Sequence, residues 1–464
     1  QEMQEQGYVF VSDTDTEVVA HLIHYYFSSL SSLKGAVQKT VARLQGAYAL
    51  GVMCAREPGT LIGARSGSPL VLGLGVAENF IASDQMALRQ VTDRFIFLEE
   101  GDLVELRDSS YQLIDILGET AEREIVTISS ADEIADKGDY DHYMLKEIFE
   151  QPEMLKATLQ GRISEKHVLP EAFGTEAPAI FSKTESVHIV ACGTSYHAGL
   201  IAKYWLEEWT GILCQVEVAS EYRYRTCVVP ENTLFVTVSQ SGETADTLAA
   251  LQAAKKAGYL ASLVICNVAN SSLVRASDLV LMTYAGPEIG VASTKAFTTQ
   301  LAALQLFCIG LGRSHGLEQK KEQQLIEALH QLPELSRKTL ELSSAIEKTF
   351  QSFADKNHAL FLGRGVQFPV ALEGALKLKE ISYVHAEAYP AGELKHGPLA
   401  LIDNKMPVIV VAPNNALLEK LKSNLQEVKA RGGQLFVFAD HDAGFENEPG
   451  VTVIGIPHVP KSLE

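Results

Sequence analysis

Apolar and polar positions follow one rhythm in the first part of the chain and another in the rest. In residues 1–130, short apolar stretches bounded by Gly, Pro, Asp and Ser predict strands at Gly7–Ser12, Ala47–Cys54, Leu61–Ala64, Leu70–Leu74, Phe80–Ser83, Phe95–Leu98 and Leu103–Arg107, because such runs suit a pleated, half-buried ladder. One helix, Thr16–Ser29, interrupts them. After the polar stretch 129–141, long helical periods alternate with compact apolar runs, the signature of parallel strands covered on both faces by helices. A domain boundary is expected in that stretch.

The second region repeats itself. Ile189–Thr194 and Leu360–Gly365, Val236–Ser239 and Val408–Val411, and the helix-ending Gly258 and Gly432 stand in the same order, offset by about 170 residues. Each unit reads strand, Gly turn, long helix, Ala-Ser-Glu-Tyr or Ala-Glu-Ala-Tyr, strand, polar turn, helix, strand. Two tandem doubly wound parallel sheets of α/β class are predicted, over residues 140–312 and 356–464, joined by a helical connection at 313–355. The uncharged run Ala296–Gly312 contains Thr298, Thr299, Gln300 and Gln305 and is shorter than the ~20 apolar residues that cross a bilayer. It predicts a buried or interface helix, and no membrane span.

Composition narrows the choice of partners. At 464 residues the chain suits about three folding units, and 46% hydrophobic with 21% charged residues is ordinary for a globular protein. The formal charge of −19 repels nucleic acid and anionic lipid, so neither is an expected partner and any anionic substrate must be gripped locally. The six Cys residues show no C-x-x-C spacing and the 13 His no ligand cluster. No metal and no cofactor are expected, and reduced thiols in the cytoplasm fit best.

Four segments carry candidate chemistry. Ser239, Ser241 and Thr244 sit in Ser-Gln-Ser-Gly-Glu-Thr, between an apolar strand and a helix. Three hydroxyls, a glycine and a helix N-terminus can surround a phosphate with neutral donors; an ordinary helix cap is the alternative. Thr194 and Ser195, in the Gly turn after the first strand of the same sheet, either reach that ligand or only cap their helix. Glu373, Lys377 and Glu380 share one face of the helix predicted at 369–384. A carboxylate held by an ammonium suits proton shuttling between sugar carbons, whereas a solvent-exposed ion pair is the commoner meaning of that spacing. His396, in the loop Glu387–Pro398, is either a general acid–base group or a surface histidine.

Those segments, with Ala-Ser-Thr-Lys-Ala-Phe-Thr-Thr-Gln at 292–300 and Glu-Leu-Lys-His-Gly-Pro at 393–398, make the chain resemble the glucosamine 6-phosphate synthase (glutamine:fructose-6-phosphate aminotransferase) family along essentially its whole length. The resemblance implies two sugar isomerase domains, with phosphate held by Ser239, Gln240, Ser241 and Thr244 and the sugar by Thr194, Ser195 and Ser293. Lys377 and Glu380 match the family's catalytic pair, Glu380 moving a proton between C1 and C2. His396 matches a ring-opening histidine lent across a dimer interface, so a homodimer is implied. Residues 1–130 resemble the second half of an α+β N-terminal-nucleophile (class II) glutamine amidotransferase domain, in which Asp15 matches the residue that binds the α-amino group. From its own pattern, Asp13–Glu17 reads first as a helix-capping arrangement.

The implied reaction converts fructose 6-phosphate and glutamine to glucosamine 6-phosphate and glutamate, the first step of amino-sugar biosynthesis. The family's N-terminal Cys nucleophile and its Schiff-base lysine are expected to lie outside this sequence, because Lys461 does not match that lysine. Glutamine would then serve only the intact protein. A non-catalytic sugar-phosphate sensor is the rival reading, but it would not need Glu380 and His396. A sugar-amine phosphate deglycase would not need residues 1–130.

Overall fold

The structure, a computed structural model, describes residues 1–128, 137–353, 355–460 and 463. It divides into two units, Gln1–Ile134 and Ala135–Glu464. The polar stretch expected as a boundary is partly outside the described residues, as is Lys461.

The N-terminal unit is α+β, with helices α1 (Glu2–Glu5), α2 (Thr16–Leu30) and α3 (Leu33–Val41) followed by strands β1 (Tyr48–Met53), β2 (Leu61–Ser66), β3 (Val71–Leu74), β4 (Asn79–Ala82), β5 (Arg94–Phe97), β6 (Leu103–Arg107), β7 (Ser110–Ile114), β8 (Thr120–Ala121) and β9 (Val126–Thr127). Two antiparallel sheets result, in the orders β1-β2-β6-β7-β8 and β4-β3-β5-β9. Helices α2 and α3 lay Ile23, Leu33, Ala36 and Val37 against Ile62, Ala64 and Leu103.

One local expectation fails here, and several elements, α3 and β7 among them, were not predicted. Gly7–Ser12 is not a strand: the Val11 and Ser12 N–H groups each donate to the Glu17 carboxylate at 2.8 Å, so this backbone is tied to the first turn of α2 instead of joining a ladder. Helix α3 was missed, although Ser32 supplied a cap signal; its side chain accepts from Gly35 N–H at 3.2 Å. Strand β7 was missed because a tight turn returns it onto β6, pairing Arg107 with Ser110, and its first three residues are exposed.

The second unit contains α4 (Tyr143–Leu159), α5 (Ala177–Lys183), β10 (Ser186–Ala191), α6 (Gly193–Thr210), β11 (Leu213–Val218), α7 (Ala219–Tyr222), β12 (Thr233–Ser239), α8 (Ala245–Ala254), β13 (Ala261–Cys266), α9 (Ser272–Ala276), β14 (Leu279–Met282) and α10 (Lys295–Arg313). After α11 (Gln319–Leu340) and α12 (Ser343–Phe350) come β15 (His358–Gly363), α13 (Gln367–Ser382), β16 (His385–Pro390), β17 (Pro407–Ala412), α14 (Leu418–Ala430), β18 (Gln434–Asp440) and β19 (Val451–Ile456). The sheets run β11-β10-β12-β13-β14 and β16-β15-β17-β18-β19, every pairing parallel.

Both sheets therefore share one topology, as the sequence repeat predicts. Every residue of β10 and of β12 is buried, which is why these strands read as apolar runs without alternation. Gly258 and Gly432 take left-handed φ of 87° and 82° shortly past α8 and α14. The repeat is looser at the edge strands: Ala219–Tyr222 forms the short α7 after β11, whereas Ala386–Tyr389 lies within β16. Helix α10 covers the predicted buried run and packs on α6 and α4. No described helix is long and apolar enough to cross a membrane. Helices α6 and α13, which follow the first strand of each sheet, pack on one another, and this contact joins the two halves of the site.

Candidate active site

Strand β10 is the switch point of its sheet, with β11 on one side and β12 on the other. A crevice opens beyond the carboxyl ends of strands at such a point. The turns after β10 and β12 meet there in a concavity of about 190 Å³. Thr194, Ser195, Ser239, Gln240, Ser241, Thr244 and Ser293, all singled out from sequence, line it together. Thr247, one turn into α8, adds a hydroxyl that the sequence reading missed. Its spacing of three from Thr244 was the available signal.

Among the described residues, no charged side chain lines this concavity. What it offers an anion is hydroxyls and the N-terminus of α8, whose first-turn N–H groups have no intrahelical partner. Thr244 occupies the N-cap position without a side-chain cap bond. The hydroxyls shape the loop itself: Ser239 Oγ accepts from Gly242 N–H at 3.0 Å and Ser241 Oγ from Glu243 N–H at 3.2 Å. Ser239 and Thr244 hydroxyls stand 3.3 Å apart. Gly242 is required twice over. Its φ is 69°, and an added Cβ would sit 2.0 Å from Ser271 Oγ and 2.5 Å from Ser271 Cβ.

Ser293 reaches the concavity on the loop between β14 and α10, which buried carboxylates fasten. Glu147, 2% exposed, accepts from Ile289 and Gly290 N–H groups at 2.6 and 3.0 Å. Glu288 accepts from Thr294 and Ala296 at 2.8 and 3.1 Å. Burial pushes the Glu288 carboxyl above its ordinary range, against the pull of those two N–H groups and the Ser293 hydroxyl. Neither glutamate stood out in the sequence.

Glu373, Lys377 and Glu380 do share one face of α13, buried at its Glu373 end and open at Glu380. Glu373 is 5% exposed. Lys377 Nζ lies 2.7 Å from Glu380 Oε2, 3.3 Å from Glu373 Oε1 and 3.1 Å from Thr194 Oγ1. Thr194 in turn donates to Glu373 Oε1 at 2.9 Å. The second Glu373 oxygen meets His197 Nδ1 at 2.8 Å, a partner the sequence reading missed although His197 stands one helical turn beyond Thr194. Glu380 keeps about a third of its side chain open (31%). The arrangement is a carboxylate held by an ammonium that is itself tied to the hydroxyl-lined turn.

Two sequence candidates stand outside these contacts. His396 is exposed at the end of the 3₁₀ turn Ala391–His396, and its side chain makes no hydrogen bond or ion pair among the described residues. Asp15, in the N-terminal unit, is exposed at the N-cap of α2 without a side-chain cap bond. Glu17 beside it ties down the preceding loop, and the Ser12 hydroxyl and the Val11 and Ser12 N–H groups hold its carboxyl at about 2. A larger concavity of about 390 Å³ opens on the N-terminal unit, but its Glu57 and Arg107 pair with each other at 3.9 Å. Asp440, His441 and Asp442 are close enough to share a cation, yet Asp440 is already engaged by Asp442 N–H and His458 Nδ1 at 2.9 and 2.7 Å.

Tandem parallel sheets of one topology, with a hydroxyl-lined concavity at the first switch point, define a sugar isomerase-type protein. In keeping with this, a family model described as the SIS domain matches residues 180–310 and 352–445. The chain belongs to the glutamine–fructose-6-phosphate aminotransferase (isomerizing) family. It is 60% identical to the member of that name from Pseudomonas putida over 464 residues, all of this chain and 76% of the relative. It is 61% identical to the one from Pseudomonas aeruginosa, over 98% of this chain and 74% of the relative. Among solved structures, the C-terminal domain of glucosamine-fructose-6-phosphate aminotransferase from Francisella tularensis superposes with a TM-score of 0.69 at 50% identity, covering 71% of this chain and 92% of that one.

Proposed function

We propose that the second unit carries out the sugar half of an isomerizing amino transfer, from fructose 6-phosphate to glucosamine 6-phosphate, with glutamine as nitrogen source. The phosphate rests among the hydroxyls of Ser239, Ser241 and Thr244, the Gln240 amide and the start of α8; Thr194, Ser195 and Ser293 hold the sugar. Ammonia adds to the C2 carbonyl and water leaves. Glu380 then takes a proton from C1, giving an enaminol, and returns it to C2 while the O1 hydroxyl proton ends on nitrogen, converting the C2 imine and C1 alcohol to an amine and an aldehyde. Lys377, 2.7 Å from Glu380 Oε2, holds that carboxylate aimed. His396 is assigned to ring opening, in a homodimer that brings it to the partner's sugar.

The observation that carries this reading is Thr194, which lines the hydroxyl cradle and also lies 3.1 Å from Lys377 Nζ. It sets the phosphate end and the proton-transfer end of one sugar at neighbouring turns. The N-terminal unit is read as part of the glutamine-using domain, with Asp15 meeting the α-amino group. We place the protein in the cytoplasm, where its six free thiols would stay reduced.

Replacing Glu380 by Gln tests the assignment, since the amide keeps the shape and cannot accept the C1 proton. Glucosamine 6-phosphate formation by the full-length protein should fall at least about a hundredfold, the ordinary worth of a general base, with fructose 6-phosphate binding retained. Undiminished turnover would remove Glu380 from the chemistry.

A further inference from the structure

The Glu373 carboxylate is fully engaged. Oε1 accepts from Thr194 Oγ1 at 2.9 Å and lies 3.3 Å from Lys377 Nζ, while Oε2 meets His197 Nδ1 at 2.8 Å. A carboxylate only accepts, so the Nδ1 that meets it carries the proton. His197 is itself largely buried, at 13% side-chain exposure. Thr194 and His197 are three apart on α6, and both reach across to α13.

Resting on the reading above, we propose that His197 is a positioning residue for the sugar chemistry, acting through Glu373. Lys377 stands between two carboxylates, and only Glu380 is open enough to meet a sugar. Left free to turn, the Glu373 carboxylate would draw the ammonium to itself and leave Glu380 unheld. With one oxygen fixed by Thr194 and the other by His197, it accepts Lys377 from one side only. The ammonium then rests at 2.7 Å from Glu380. A hydrogen bond to a charged group is roughly twice as strong as a neutral one, which suits a clamp on a carboxylate that cannot rotate to water.

The test compares two variants of the full-length protein. His197→Asn keeps a donor, because the amide Nδ2 stands about where Nδ1 does; His197→Leu removes it at similar bulk. With glutamine and fructose 6-phosphate, His197→Leu should lower kcat about tenfold or more while KM for fructose 6-phosphate stays within about twofold. His197→Asn should stay within about threefold of the parent kcat, since the charge-assisted bond is retained. Wild-type kcat in a folded His197→Leu, an effect confined to KM, or equal loss in both variants would each overturn the proposal. Should His197→Leu fail to fold, a normally melting His197→Asn with kcat down tenfold overturns it, and one with parental kcat supports it. Full kcat in Glu380→Gln marks failure of the functional reading itself; an inactive Glu380→Gln beside an unaffected His197→Leu marks failure of this inference alone.

Discussion

Replacing Gly242 by Ala separates backbone strain from crowding in the phosphate cradle. At φ 69° any residue with a Cβ pays the left-handed penalty of roughly 1–2 kcal/mol. The new methyl would also meet Ser271 Oγ at 2.0 Å, Ser271 Cβ at 2.5 Å and Cys266 Sγ at 2.8 Å. Rotating the serine hydroxyl away relieves the first contact but leaves the Cβ, so overpacking adds about 1–3 kcal/mol. The sum is about 2–5 kcal/mol. At about 2.1 cal/mol/K of unfolding entropy per residue, this second unit, Ala135–Glu464, loses about 1.5 °C per kcal/mol, so its melting transition should drop by about 3–7 °C. The loop must also shift, which predicts weaker binding of fructose 6-phosphate, measured by titration calorimetry. Gly193→Ala is the control: its φ is 52° but nothing lies within 4 Å of the added Cβ, so only the strain of about 1–2 kcal/mol remains. Equal melting shifts in the two variants, or normal sugar-phosphate affinity in Gly242→Ala, would refute the argument from crowding.

Other perturbations follow from the same contacts. Glu147→Leu leaves the partly buried Ile289 and Gly290 N–H groups without their acceptor and should cost about 1–3 kcal/mol in urea unfolding, together with affinity for inorganic phosphate at the Ser293 loop; Glu147→Gln, which keeps an acceptor, should cost far less, and parity between the two would contradict this. Glu17 has a folded pKa of about 2, below the ordinary carboxylate value, so its stabilisation is complete above the unfolded pKa and fades as pH falls toward 2. The stability gap between the parent and Glu17→Gln should be widest near neutrality and close as pH falls through 2; a gap independent of pH would show that these bonds do not depend on ionisation.

Much of the architecture could be read from order and spacing. Strands buried on both faces leave uninterrupted apolar runs, so β10, β12, β15 and β17 and their repetition stood out. The N-terminal unit was less legible because its strands are short and some, such as β7, face water with polar residues. At Gly7–Ser12 the apolar pattern was present and the backbone had another use for its N–H groups: Glu17 accepts two of them.

The candidate site divides along the same physical line. The hydroxyl cradle is contiguous in sequence, a strand, a turn and a helix start, and a local motif of that kind announces its geometry wherever it folds. The clamp on Lys377 is not local. It exists because the repeat generates two equivalent helices, α6 and α13, that bury against each other, and periodicity reveals the face of each helix without revealing which face it meets. Glu373 was therefore visible as a neighbour of Lys377, and its bonds to Thr194 and His197 were not. That division bears on how an acidic protein of charge −19 can hold a phosphorylated sugar. The cradle contains no cation, and the nearby ammonium of Lys377 is balanced by Glu373 and Glu380. On the proposed function the phosphate is held by oriented dipoles, leaving the ionised groups to the carbons where the proton moves.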